Sequence, residues 1–114
     1  MTDIGSTPKR RTISPYDLTS GDNPGAVISS PLLNGTNYDE WAINLRMALS
    51  SRKKFGFIDG SIPKPPADSS NLEDWIANNH LLVGWINKTI EPKLRSSIST
   101  REVAQELWEI IKKR

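Results

Sequence analysis

The chain contains no cysteine and a single histidine. The first absence excludes disulfides, iron–sulfur clusters, thiol nucleophiles and every zinc site that uses a cysteine. The second leaves imidazole chemistry to His80 alone, and the nearest carboxylates before it, Glu73 and Asp74, sit at least about 9 Å back along a helix axis at 1.5 Å per residue. No metal set closes around it. Also missing is any apolar run of about 18 residues that could cross a bilayer, and the opening Met1–Arg11 stretch lacks the apolar heart of a secretory signal. The expectation is a soluble, intracellular chain with no membrane partner, in which the sequons at Asn34-Gly-Thr36 and Asn87-Lys-Thr89 carry no glycan. Charge of one sign is lacking too: 15 basic residues face 13 acidic ones, net +2, too even a balance for tight phosphate binding by counterion release.

Motifs of catalysis are equally sparse. Gly56, Gly60 and Gly84 match neither the dinucleotide nor the P-loop spacing. The acid pairs Asp39-Glu40 and Glu73-Asp74 fall where first helical turns are expected, and there the helix dipole accounts for them. No catalytic residue, cofactor, metal ligand or small-molecule substrate is assigned.

What the chain does have is tryptophan, four of them against two tyrosines and two phenylalanines in 114 residues. Each is a large apolar surface that must find a partner, so the tryptophans locate the core. Eight prolines and seven glycines leave part of the length outside it. Residues 1–24 are rich in serine, threonine, proline and charge, with apolar residues that share no period, and read as a flexible arm before a single domain at 25–114. Ala26–Ile28 and Leu32-Leu33 allow an extended segment that tucks against the fold.

Helical spacing begins at Thr36, a candidate N-cap, and carries Tyr38, Trp41, Leu45 and Leu49 on one stripe of a helix closed by Arg52, Lys53 and Lys54. Phe57 leads into a turn at Asp59-Gly60, and Ser61–Pro66 must run extended because of its prolines. Ser70–Glu73 matches a capping box ahead of a second helix bearing Leu72, Trp75, Ile76, Leu82, Val83, Ile86 and Ile90, with Leu81 and Trp85 forming a second patch beside that stripe. Glu91-Pro92 opens a short third helix. Ser99–Glu102 is another capping-box match, before a last helix with Leu107 and Trp108 inward. The architecture expected is all-α, a small bundle of about four helices.

Two surfaces invite a functional reading. Lys9, Arg10 and Arg11 in the arm, and Arg52, Lys53 and Lys54 beside Phe55 and Phe57, could touch nucleic acid; a solvated tail and a helix C-terminus explain them as well. The Leu81 and Trp85 patch fits either a subunit contact or more core.

With these residues placed, the stretch from Asn23 to Arg114, about four fifths of the chain, resembles the N-terminal gag region of plant copia-type retrotransposons. The resemblance rests on Leu33-Asn-Gly-Thr-Asn-Tyr38 with Trp41, then Leu45 and Leu49, then Gly56–Ser61 before a proline-rich link, then Trp75, Val83–Ile86 and Ala104–Trp108. It implies a capsid-like helical domain whose role is structural, with other gag-like chains as partners and self-assembly into virus-like particles as the outcome. It further implies a scaffold of Tyr38, Trp41, Leu45, Phe57, Gly60, Trp75, Trp85, Leu107 and Trp108. The cysteine–histidine knuckle that usually contacts RNA in such proteins has no counterpart here, so any RNA contact would be weak. The compartment implied is the cytoplasm, with the nucleus as the alternative.

Overall fold

A computed structural model of the chain describes residues 13–114. Among the described residues there are five helices, α1 (Tyr38–Ser51), α2 (Gly56–Asp59), α3 (Leu72–Lys88), α4 (Pro92–Arg95) and α5 (Ala104–Lys112). No strand forms there, and the one extended pairing is an isolated parallel bridge between Leu33 and Ile90. The fold is all-α. The element missing from the sequence reading is α2, where Phe57 and Ile58 enter the core from a single helical turn closed by Gly60 in the left-handed region (φ 89°). No helix here is long and apolar enough to cross a membrane.

Helix α1 buries Trp41, Leu45 and Leu49, the stripe that its spacing predicts. Its cap is Asn37 and not Thr36, because the loop before it is tied by side-chain amides. The Thr36 hydroxyl donates to Asn34 Oδ1 (2.9 Å), while Asn37 accepts from the Asn34 N–H (2.9 Å) and donates to the Leu32 carbonyl (2.9 Å). The helix ends in a Schellman arrangement, with the Lys54 N–H returning to Leu49 O (2.8 Å) and the Lys53 N–H to Ser50 O (2.9 Å). That geometry puts Lys53 at φ 60°, a conformation glycine adopts without penalty. Lys53→Gly is therefore expected to stabilise the fold by about 0.5–1 kcal/mol, the relieved strain outweighing the unfolded-state entropy of glycine. A urea titration showing no gain would remove the strain from consideration.

Neither capping box forms. Helix α3 begins after Asn71 with no side-chain cap bond, and the Ser69 hydroxyl instead accepts the Asn71 N–H (3.1 Å). Helix α5 begins at Ala104, and its cap comes from another helix: Asn79 of α3 accepts the Ala104 N–H (2.8 Å) and donates to the Glu102 carbonyl. A buried amide in α3 thus satisfies one of the free donors that every helix start exposes. Asn79→Ala is expected to cost about 1–2 kcal/mol, in the range of a lost N-cap. Faster hydrogen exchange at Ala104 and its neighbours, beyond the rest of the chain, would identify the loss with α5. Uniform exchange would argue against it.

The four tryptophans organise the interior. Trp41 stacks on Trp108 (5.5 Å between centroids, 26° between planes), and Phe55 meets Trp108 edge-on at 5.6 Å. The Trp41 indole donates to the Thr89 hydroxyl (3.1 Å), which donates to Ile86 O (2.6 Å). Thr89, the hydroxyl residue of the sequon at Asn87, is fully buried. Of the predicted scaffold, Trp41, Leu45, Leu49, Phe57, Trp75, Ile86 and Leu107 are buried. Tyr38 and Trp108 are half-buried at the rim. Gly60 is exposed; its contribution is the turn, since it has no side chain to pack.

Candidate functional site

Three regions of the surface could carry function: the segment before α1, the basic end of α1, and the outer face of α1. Residues 13–24 were expected to be part of an arm, yet they lie against α3 and α2. Lys54, the last residue of the Schellman turn, is 2% exposed. Its ammonium donates to the carbonyls of Pro15 (2.7 Å) and Asp17 (2.8 Å) and to Asn78 Oδ1 (2.6 Å), matching three donors with three acceptors. Asn78 turns its amide nitrogen to Tyr16 O (3.1 Å) and Asp74 O (2.9 Å). The Tyr16 ring stands edge-on to Phe57 at 5.7 Å. Burial pushes the Lys54 ammonium below the ordinary lysine pKa, and the charges of Asp22 and Asp17 offset part of that push.

Downstream, the same segment covers the second patch of α3. The Trp85 indole donates to Asn23 O (2.7 Å), and a Cβ added at Gly84 would lie 2.6 Å from Pro24 Cβ. Arg52 sets its guanidinium over the Trp85 ring at 5.4 Å. Leu81 and Trp85 are thus 6% and 1% exposed, core residues and not a free contact surface. Core was one of the two readings of this patch, but what covers it was not legible, because residues 13–24 attach mainly through backbone carbonyls, which any sequence supplies and no periodicity reveals. One signal was there to find: a glycine within α3 beside a tryptophan marks a close backbone approach.

The basic cluster is divided in the same way. Arg52 and Lys53 are exposed, Lys54 is buried, and Lys9, Arg10 and Arg11 lie outside the described residues. Lys54 is not available to a phosphate. His80 is exposed, beside a shallow cleft it shares with Leu18, Asp22 and Pro24, and among the described residues no group of side chains could hold a metal ion. Asp39-Glu40 and Glu73-Asp74 stand in the first turns of α1 and α3, as helix-dipole complementarity requires.

A cleft of about 370 Å³ opens between Leu33, Gly35, Tyr38, Leu94, Ile111 and Arg114. The Tyr38 hydroxyl at its wall has its pKa raised by burial, then by the charges of Asp39 and Glu109, so it stays a neutral phenol at neutral pH and offers no nucleophile. The outer face of α1 is different. Asp39, Glu40, Ile43, Arg46, Met47 and Ser50 are all exposed there, two large apolar side chains within a ring of charge and opposite the buried stripe.

Among the described residues the buried polar groups Lys54, Asn78 and Asn79 are engaged in packing contacts, and the exposed features are a helix face and clefts. The comparisons say what the chain is similar to. Residues 19–66 match the family described as the gag-polypeptide of LTR copia-type elements. Over 90 residues the chain is 26% identical to the retrovirus-related Pol polyprotein from transposon RE2 of Arabidopsis thaliana, an alignment covering 71% of this chain and 6% of that polyprotein. The chain thus spans a small fraction of the relative it matches. No solved structure matches it. The chain is thus similar to copia-type gag, and its resemblance to the N-terminal gag region of plant copia-type elements is supported by both comparisons.

Proposed function

We propose that this chain is a non-enzymatic assembly domain that mediates gag–gag association in the building of a virus-like particle. The observation that carries the reading is where the family match falls. Residues 19–66 span the covering segment that caps Trp85, all of α1 and α2, and the anchor Lys54. The matched sequence is therefore spent on a rigid scaffold and on the helix face it displays. Its partners are further copies or other gag-like chains. RNA contact is weak at most, since the net charge is +2 and one of the basic side chains by α1 is withdrawn into the core. Assembly would take place in the cytoplasm.

Size-exclusion chromatography with light scattering over a concentration series tests this directly. The expected result is a weight-average mass that climbs above the 12.8 kDa of one chain as concentration rises. A constant monomer mass into the millimolar range would defeat self-association by this domain, because tethering in a particle amplifies weak contacts but cannot create one.

A further inference from the structure

Ile43 and Met47 are 51% and 63% exposed, and they stand one turn apart on the same helix. Single exposed apolar residues are ordinary, but a pair at this spacing makes a continuous apolar strip. At about 100° per residue, Ile43 falls near the middle of the outer face, with Asp39 and Arg46 on one edge and Glu40 and Met47 on the other. Helix α1 is thus apolar on two sides. Its inner stripe of Trp41, Leu45 and Leu49 is buried, and the outer one is uncovered.

The charges on this face select an occupant. The N-terminal turn is acidic, through Asp39 and Glu40, while Arg46 follows Ile43, and Arg52 and Lys53 lie exposed past the end. A parallel copy would set acid beside acid and align the two helix dipoles unfavourably. An antiparallel copy does the reverse on both counts.

Resting on the assembly reading above, we propose that the outer face of α1 pairs with the same face of a second copy, antiparallel, about a two-fold axis passing beside Ile43. Under that symmetry Ile43 meets its own equivalent, and Arg46 of each copy comes level with the acidic turn of the other. Arg46 and Asp39 share an edge, so the operator produces two reciprocal Asp39–Arg46 pairs flanking the apolar centre. Met47 closes the other edge over the stem of Glu40. The face of one 14-residue helix buries less than the roughly 1,200 Å² of a standard interface, so the contact is weak in isolation and gains from the avidity of many tethered copies.

The absence of cysteine gives a clean test on the full chain. With Ile43→Cys as the sole thiol, mild oxidation should yield a disulfide dimer at least about tenfold faster than Lys88→Cys, an exposed control at the end of α3, because effective concentration at the axis governs the rate. In sedimentation equilibrium, Asp39→Arg and Arg46→Asp should each weaken dimerisation about tenfold or more, and the double swap in one chain should restore it, since the reciprocal pair is then merely reversed. Both positions are exposed, and circular dichroism will confirm that the variants fold. Association that persists in both reversals, with equal cross-linking of the two thiols, overturns this face and leaves the assembly reading to another surface. A chain that stays monomeric and cross-links neither thiol overturns both.

Discussion

Lys54→Met should destabilise the fold by about 2–4 kcal/mol and release residues 13–24 to protease. The substitution keeps the aliphatic stem and removes the ammonium. Three acceptors, Pro15 O, Asp17 O and Asn78 Oδ1, then lose their shared donor, and a buried polar atom left without a partner costs about 1–3 kcal/mol. Asn78 is fully buried, so water cannot easily take the place of the amine at Oδ1. Against this stands a gain, because a charge no longer has to be buried. The gain is visible in the depressed pKa of Lys54, whose first cause is burial. The sign follows from proton counting. Below the folded pKa both states carry the proton, and the burial cost is present in full. Between the folded pKa and the ordinary 10.5 the unfolded chain binds more protons, so this group makes stability rise with pH across that window and lose the increment as pH falls back through it. Urea titrations of the two proteins at neutral pH and near pH 10 measure both effects: the midpoint should fall in Lys54→Met, and the lysine's share of the upward pH trend should vanish with it. A variant within about 0.5 kcal/mol of the parent would show that the three bonds are replaced by water at no cost.

Trp85→Ala should be the more damaging change, at about 3–5 kcal/mol, the range for emptying a buried aromatic site. In a domain whose total stability is about 5–15 kcal/mol, a loss of that size leaves little margin. The ring is 1% exposed, its N–H is bound to Asn23 O, and Arg52 lies across its face. Trp85→Phe separates these terms: it keeps most of the apolar volume, loses the indole bond and is expected to cost about 1–2 kcal/mol. Both variants should move thermal unfolding, and Trp85→Phe, which still folds, should leave the concentration dependence of association unchanged. If Trp85→Phe instead reduced association while leaving the melting temperature alone, Trp85 would be a contact residue and its burial in the single chain would not be its working state.

The sequence by itself determined the helices that have a period. Trp41, Leu45 and Leu49 recur at helical spacing, and α1 buries them; Glu91-Pro92 starts α4 because proline at a first helical position has no donor to lose. The tryptophans found the core for a similarly local reason, the size of the apolar surface each brings. The candidate surface at Leu81 and Trp85 was only partly legible. Leu81 and Trp85 share a helix face, and a periodic pattern reports that they are apolar together without saying what covers them. The capping box at Ser99 failed because a local motif competes with tertiary partners, and Asn79 caps α5 from 25 residues away; at Ser70 the competitor is local, the Ser69 hydroxyl that accepts the Asn71 N–H. Asn78 and Lys54 were beyond sequence reasoning, since a polar side chain is read as solvated until the three-dimensional fold brings it an acceptor, and the docking of residues 13–24 left only the glycine at 84 as a signal. Local spacing thus fixed which faces are apolar. Only the tertiary structure decided which of those faces is covered, because covering depends on long-range hydrogen bonds to backbone groups that every residue carries alike, and it left the Ile43 and Met47 face of α1 open.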